Sequence, residues 1–171
     1  MIKNICCFIP YHKDYQSIHT INLVLETKPQ IYNSFKAEAV YKVHYVCGGI
    51  GFLHTLGTIH PLSAGDVFFT FPGTPFYIES KNDFSYMYIS FFGARANMIM
   101  EKLKISNSCF YFSDCNAIGD FWEHAFSINQ ELTDLISESV LLYTFSFIGN
   151  RILKFDEKLH KTENTFLNIK K

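Results

Sequence analysis

At 171 residues, 18% charged and with a formal net charge of −1, the chain can bury one sizeable core, and it lacks the basic excess that holds a phosphate backbone. Five cysteines, at positions 6, 7, 47, 109 and 115, show no Cys-x-x-Cys spacing, and no apolar run approaches the ~20 residues of a membrane span. With no charged-then-apolar leader at its start, a cytoplasmic protein with reduced thiols and no membrane contact is expected.

In chain order, residues 2–16 carry Ile5, Phe8, Ile9, Tyr11 and Tyr15, enough apolar surface either to fold over a pocket mouth or to pair as a first strand. Ile18 to Glu26 and Val40 to Cys47 are rich in β-branched and aromatic residues and end at Lys28-Pro29 and Gly48-Gly49, which predicts two strands separated by a loop over 29–38. Ile50 to Thr55 and Thr58 to Leu62 flank Leu56-Gly57, whose glycine can take the positive φ of a tight hairpin. Ser63-Ala64-Gly65-Asp66 turns the chain into Val67 to Phe71. Phe76 to Glu79 and Phe84 to Phe92 continue the series, set apart by Pro72-Gly73-Thr74-Pro75 and Ser80-Lys81-Asn82-Asp83. Turn signals recurring about every ten residues predict a mainly β jelly roll.

Past Gly93 the apolar period becomes helical, first at Ala96, Ile99, Met100 and Leu103, then at Ile118, Phe121, Trp122, Ala125 and Leu132 behind a candidate N-cap at Asn116. A short strand near Cys109 to Phe112 lies between the two. From Thr133 to about Phe155 a longer helix carries apolar residues on almost every side, whereas covering one core takes a stripe of about 100°. The excess predicts a partner chain, with Leu135, Leu142, Phe145 and Ile152 as dimerisation residues. The polar, lysine-rich end reads as linker, giving a barrel with its arm over 1–115, a helical dimerisation subdomain over 116–157 and a linker over 158–171.

Nucleophile chemistry finds little support. No Gly-x-Ser-x-Gly is present, and Cys47 sits in an apolar strand without a cation to lower its pKa. Gly48-Gly49-Ile50-Gly51 leads into a strand and not a helix, so it reads as a turn and not a phosphate loop. His44, His54 and His60 stand singly on predicted strands, where a hydrogen-bonded or exposed side chain is the ordinary role.

The segments His44-Tyr-Val-Cys-Gly-Gly-Ile-Gly-Phe-Leu53, Leu62-Ser-Ala-Gly-Asp-Val-Phe-Phe-Thr-Phe-Pro-Gly-Thr-Pro-Phe76 and Ile89-Ser-Phe-Phe-Gly-Ala-Arg-Ala96 resemble the amino-terminal sensory domain of AraC-type bacterial transcription regulators, a likeness that spans roughly residues 16–155. The resemblance implies a cupin-like double-stranded β-helix barrel followed by C-terminal α-helices, a small-molecule effector such as a sugar or other metabolite, and a homodimer formed through the helices. DNA would be reached only through a C-terminal domain not included in these residues. Metal-dependent cupins draw ligands from a His-x-His pair, a glutamate and a histidine after the Pro-x-Gly turn. Here Phe76 follows Pro72-Gly73, residues 29–40 hold no histidine, and Tyr41 or Lys42 stands where the glutamate would fall, so neither metal nor cofactor is expected, and no catalysis.

Carried over by position, the resemblance places Tyr86 and Tyr88 on one face of their strand as ligand contacts, Lys28 near the family's guanidinium contact, and Ile78 where some members have a polar aromatic. His44 completes the candidate set. Lys42 and His44 share one side of their strand and Tyr41, Val43 and Tyr45 the other, and which side faces a pocket stays open. The alternative functions are a cupin enzyme, such as an isomerase or dioxygenase, and a carbohydrate-binding jelly roll.

Overall fold

The computed structural model describes residues 17–27 and 34–169, with side chains through Lys154 apart from Asn82. Six strands form one antiparallel sheet: β1 (His19–Glu26), β2 (Tyr41–Thr55), β3 (Thr58–Ser63), β4 (Val67–Thr70), β5 (Phe76–Phe92) and β6 (Tyr111–Phe112). Their order is β1-β5-β2-β4-β6, with β3 paired to the far half of β2. The hairpin at Leu56-Gly57 forms as expected, with Thr55 opposite Thr58 and Gly57 at φ 102.

Two expected turns are instead bends inside long strands. Val40 to Cys47 and Ile50 to Thr55 are one strand, and Phe76 to Glu79 and Phe84 to Phe92 are another, paired from Tyr41↔Phe91 to Thr55↔Phe76. The register shifts between Val46 and Ile50, where Gly49 takes φ +74 and lies so close to the other strand that a Cβ there would sit 2.5 Å from the backbone of Asp83 and Phe84. Glycine therefore serves here to let two backbones touch at a bulge and re-aim the ladder, which a turn reading of the same residues misses.

The bend divides the ladder into two halves. Tyr41 to Val46 pair with Tyr86 to Phe91 and sit between β1 and β4, whereas Ile50 to Thr55 pair with Phe76 to Lys81 and carry β3. On β3, the His60 ring meets those of Phe110 and Tyr111 beside β6, with centroids 4.9 and 6.2 Å away, so the sheet curls back on itself as a cupin-like barrel.

Period-2 alternation then sorts the side chains. Val43, Tyr45, Val67, Phe69, Met87, Ile89 and Phe91 face out of the barrel into a core shared with the helices. Val46, Leu53, Leu62, Phe68, Phe76 and Phe84 form a second cluster inside it.

The first helix, α1 (Ala94–Lys102), buries Ala96 and Met100, four residues apart. The single helix expected after Asn116 breaks into a 3₁₀ turn (Asn116–Ile118), α2 (Gly119–His124) and two further 3₁₀ turns (Ala125–Ser127, Gln130–Leu132). Side chains there compete for the backbone: Ser127 Oγ donates to the His124 carbonyl at 2.7 Å, and Asn129 accepts from the Glu131 N–H at 3.2 Å. Asn129 caps the turn Gln130–Leu132, and Thr133, the expected cap of the long helix, is its first residue, with a hydroxyl that donates back to the Gln130 carbonyl.

The long helix α3 (Thr133–Ile169) runs through the stretch expected to be a linker. That stretch holds no proline or glycine, and its many Lys, Glu and Leu residues favour helix. Val140, Leu141, Thr144, Phe145 and Ile148 are buried against the sheet, and Trp122, fully buried, donates its Nε1–H to Thr144 Oγ1 at 3.0 Å.

The expected dimerisation residues separate accordingly. Phe145 is 4% exposed and its ring packs on those of Phe69 and Phe91, at 5.8 and 5.6 Å, so it belongs to its own core and not to a partner face. The surplus of apolar residues on the helix concealed this, because the sheet and α2 flank it on two sides. Leu142 and Ile152 are half-buried, and Leu135 is 61% exposed.

Candidate functional site

Inside the barrel, β2, β4 and β5 bring their alternate residues together around His44. Its ring lies parallel to Phe68 at 4.3 Å and meets Phe76 edge-on at 6.3 Å, with Tyr86 and Tyr88 tilted against it at 5.7 and 5.6 Å. The question of strand side is thereby answered: Lys42 and His44 share a face with Tyr86 and Tyr88, while Tyr41, Val43 and Tyr45 pack toward the helices. Ile78 packs on the interior cluster beside Phe76, and Lys28 lies outside the described residues.

His44 is 2% exposed. Its Nε2 lies 3.4 Å from Thr70 Oγ1, and its Nδ1 is buried without a hydrogen-bond partner. Burial, helped by the charges of Lys42 and Lys36, holds its pKa well below the usual 6.5, so the ring is neutral. A buried nitrogen without a partner is uncommon in a folded protein and marks the interior as unsatisfied on its own. Burial likewise raises the phenol pKa of Tyr86 and of Tyr88, keeping both as neutral donors and acceptors.

Because the folded-state pKa of His44 lies below that of the unfolded chain, the unfolded chain takes up the proton first. Stability is therefore expected to be unaffected by this group above about pH 6.5 and to fall below it, by up to about 1.4 kcal/mol per pH unit. His44→Phe should flatten that slope between pH 7 and 5.5 in denaturant melts. Glu38 and Glu79, both with lowered pKa values, act only as pH falls below their ordinary 4.5. An unchanged slope in the variant would remove His44 as the cause.

A charged group lies next to this aromatic set. Lys42 Nζ sits 4.8 Å above the Tyr88 ring and donates to Glu38 Oε1 at 2.8 Å, with Lys36 on the same oxygen at 3.4 Å. Partial burial of Glu38 works against its ionisation, but its two lysines outweigh that and hold the carboxyl below its usual range. Lys42 is thus already paired, which limits what it can offer a ligand.

A cavity of about 340 Å³ opens between the β2–β3 hairpin and the Pro72-Gly73 turn. Leu53, Phe71, Phe76 and Phe110 give it apolar walls, and Thr55, Thr58, Thr70, Thr74 and Asn107 supply its polar groups. Among the described residues, no charged side chain lines it. The expected site residues do not line it either: they meet it through His44, which contacts the lining residues Thr70 and Phe76. Thr70 and Phe110 went unnoticed as site residues, since each reads in the sequence as an ordinary member of a short strand. Cys47 has its thiol pushed up to about 11 by burial, and among the described residues no three His, Cys, Asp or Glu side chains gather as a metal set.

A curled antiparallel barrel with a largely apolar cavity, backed by a helical layer, is the architecture of a cupin-like ligand-binding domain. The profile of the AraC-like ligand binding domain matches residues 33–146 of the 171, and the chain belongs to that family. Among solved structures, it is similar to ToxT from Vibrio cholerae, at 12% identity and TM-score 0.48 over 80% of this chain and 57% of that one. A second ToxT structure, with an unsaturated fatty acid bound, aligns at 12% identity and TM-score 0.41 over 89% and 57% of the two chains. A cupin-2 domain protein from Shewanella frigidimarina aligns at 17% identity and TM-score 0.34 over 46% of this chain and 82% of its own. The chain thus corresponds to a little over half the length of ToxT. No curated protein matches. Among the described residues, no helix is long and apolar enough to cross a membrane.

Proposed function

We propose that the chain is the effector-sensing and dimerisation part of an AraC-type transcription regulator, holding a small organic molecule in the barrel without a coordinated metal. The observation that carries this reading is the uncharged cavity abutting a buried histidine with an unused nitrogen, in a barrel whose would-be ligand position after Pro72-Gly73 holds Phe76. Such a site binds and does not turn over. The effector's preference for one arrangement of barrel and helices would then alter how attached DNA-binding domains are held. Native mass spectrometry of protein purified without chelator is expected to show an organic adduct and no transition metal at stoichiometric level. A stoichiometric metal would favour a cupin enzyme instead.

Dimerisation is assigned to the outer side of α3. At 3.6 residues per turn, Leu135, Leu142 and Leu153 fall within about 20° of one line, away from the buried side. Leu135 and Leu153 are 61% and 64% exposed. Leu135→Glu is expected to weaken self-association at least tenfold in sedimentation experiments while leaving the melting temperature nearly unchanged, since a surface substitution costs within about 0.5 kcal/mol. Wild-type association in this variant would show that the stripe is not the contact.

A further inference from the structure

The cavity beside His44 also restricts what kind of effector it can hold. We infer that it takes an uncharged, mainly apolar molecule bearing a hydroxyl, which hydrogen-bonds Thr70 at the cavity floor. This rests on the sensor reading above and sharpens it.

The lining excludes two broad classes. Burying a carboxylate or phosphate needs a cation or several convergent donors, and the described lining offers only threonine hydroxyls, Asn107 and backbone. The nearby cations do not fill the gap, because Lys42 and Lys36 are engaged with Glu38 outside this lining. A free sugar carries a hydroxyl on almost every carbon, and the phenylalanine and leucine walls would leave most of them unpaired. An apolar body with one polar tip satisfies both constraints. The volume, about 340 Å³, lies at the small end of the range for small-molecule pockets and admits a bicyclic ring system with room to spare.

Thr70 and His44 supply the polar end. Thr70 is 4% exposed, lines the cavity, and has the His44 Nε2 at a long 3.4 Å as its side-chain partner. If the imidazole donates to Thr70, the threonine proton is left for the ligand; if it accepts from Thr70, the threonine oxygen keeps a lone pair for the ligand. A hydroxyl can complete either arrangement, whereas an ether or ketone completes only the first. His44 is thus a positioning residue, held by its stack on Phe68, and Thr70 makes the contact.

The test compares naphthalene, 2-naphthol, 2-naphthoate and glucose as probes of the full chain by equilibrium dialysis at pH 7.5. 2-Naphthol is expected to bind about tenfold more tightly than naphthalene, as one added hydrogen bond allows, and more tightly still relative to 2-naphthoate, with glucose unbound. Thr70→Val should erase the preference for 2-naphthol over naphthalene without weakening naphthalene, and Thr70→Ser should restore it. Asn107→Trp, at an exposed position on the rim, should weaken both aromatic probes while leaving the fold intact. 2-Naphthoate binding as tightly as 2-naphthol, sensitive to Asn107→Trp, would overturn the uncharged part of the inference, glucose doing so would overturn the apolar part, and either would leave the sensor reading standing. A preference that survives Thr70→Val would overturn the role of Thr70. If all four probes fail to bind, the ligand class is wrong, and an organic adduct in native mass spectrometry would still separate that outcome from failure of the sensor reading.

Discussion

Phe145→Glu is expected to unfold the domain and not to separate a dimer. The ring is 4% exposed and wedged between Phe69 and Phe91, so α3 meets the sheet at this residue. Truncating a buried phenylalanine costs about 3–5 kcal/mol, and leaving a carboxylate in that space without a partner adds a penalty of similar size. Together these are comparable with the whole stability of a domain, roughly 5–15 kcal/mol. The variant should lose its near-ultraviolet circular dichroism and its cooperative melt. Phe145→Leu, which keeps an apolar group in place, should stay folded with a lower melting temperature. A cooperative melt near the wild-type temperature for Phe145→Glu would mean that α3 is not docked as described. The contrast with Leu135→Glu separates the buried from the exposed side of one helix by two measurements on the same protein.

Gly49→Ala is expected to have the second largest effect. Its φ of +74 costs a side chain about 1–2 kcal/mol, and the added Cβ would lie 2.5 Å from the Asp83 and Phe84 backbone. A flexible side chain could move aside; a backbone held in the β2–β5 ladder can relieve the contact only by breaking pairs. A total near 3 kcal/mol corresponds to a drop of about 6–12 °C in melting temperature for a chain of this size. Gly57→Ala is the matched control: its φ is +102, but nothing lies within 4 Å of the new atom, so backbone strain alone is paid and the shift should be about half as large or less. Equal shifts for the two would show that the close approach at Gly49 has no energetic weight. Leu53 and Phe76, which line the cavity, lie on the far half of this bent ladder, so Gly49→Ala should weaken aromatic probes at the cavity as well.

Much of the barrel could be read from the chain because strand signals are local. Alternating aromatic and β-branched residues from Tyr41 to Thr55 and from Phe76 to Phe92, with glycine at the Leu56-Gly57 hairpin, name the strands before any partner is known. The departure from the cupin ligand pattern is likewise local, since it is a matter of which residue follows Pro72-Gly73. That Tyr86 and Tyr88 share one face of their strand followed from period-2 geometry, whereas which face turns inward did not. What escaped was whatever depends on a distant partner. Gly48-Gly49 reads as a turn until Asp83 and Phe84 lie against it, and Phe145 cannot be told from Leu135 until the sheet covers one side of α3.

The chain by itself determined the strand series, the hairpin, the absence of a cupin ligand pattern and the family resemblance, because each rests on residue types at fixed short spacing. Tertiary structure alone decided that the β2–β5 ladder bends instead of turning, that Phe145 is core, and that the cavity at the β2–β3 hairpin is lined by Thr70 and Phe110. The physical reason is the same in all three cases: a side chain's surroundings are set by segments tens of residues away, and apolar burial, being non-directional, leaves no mark in sequence of which apolar residue will meet which.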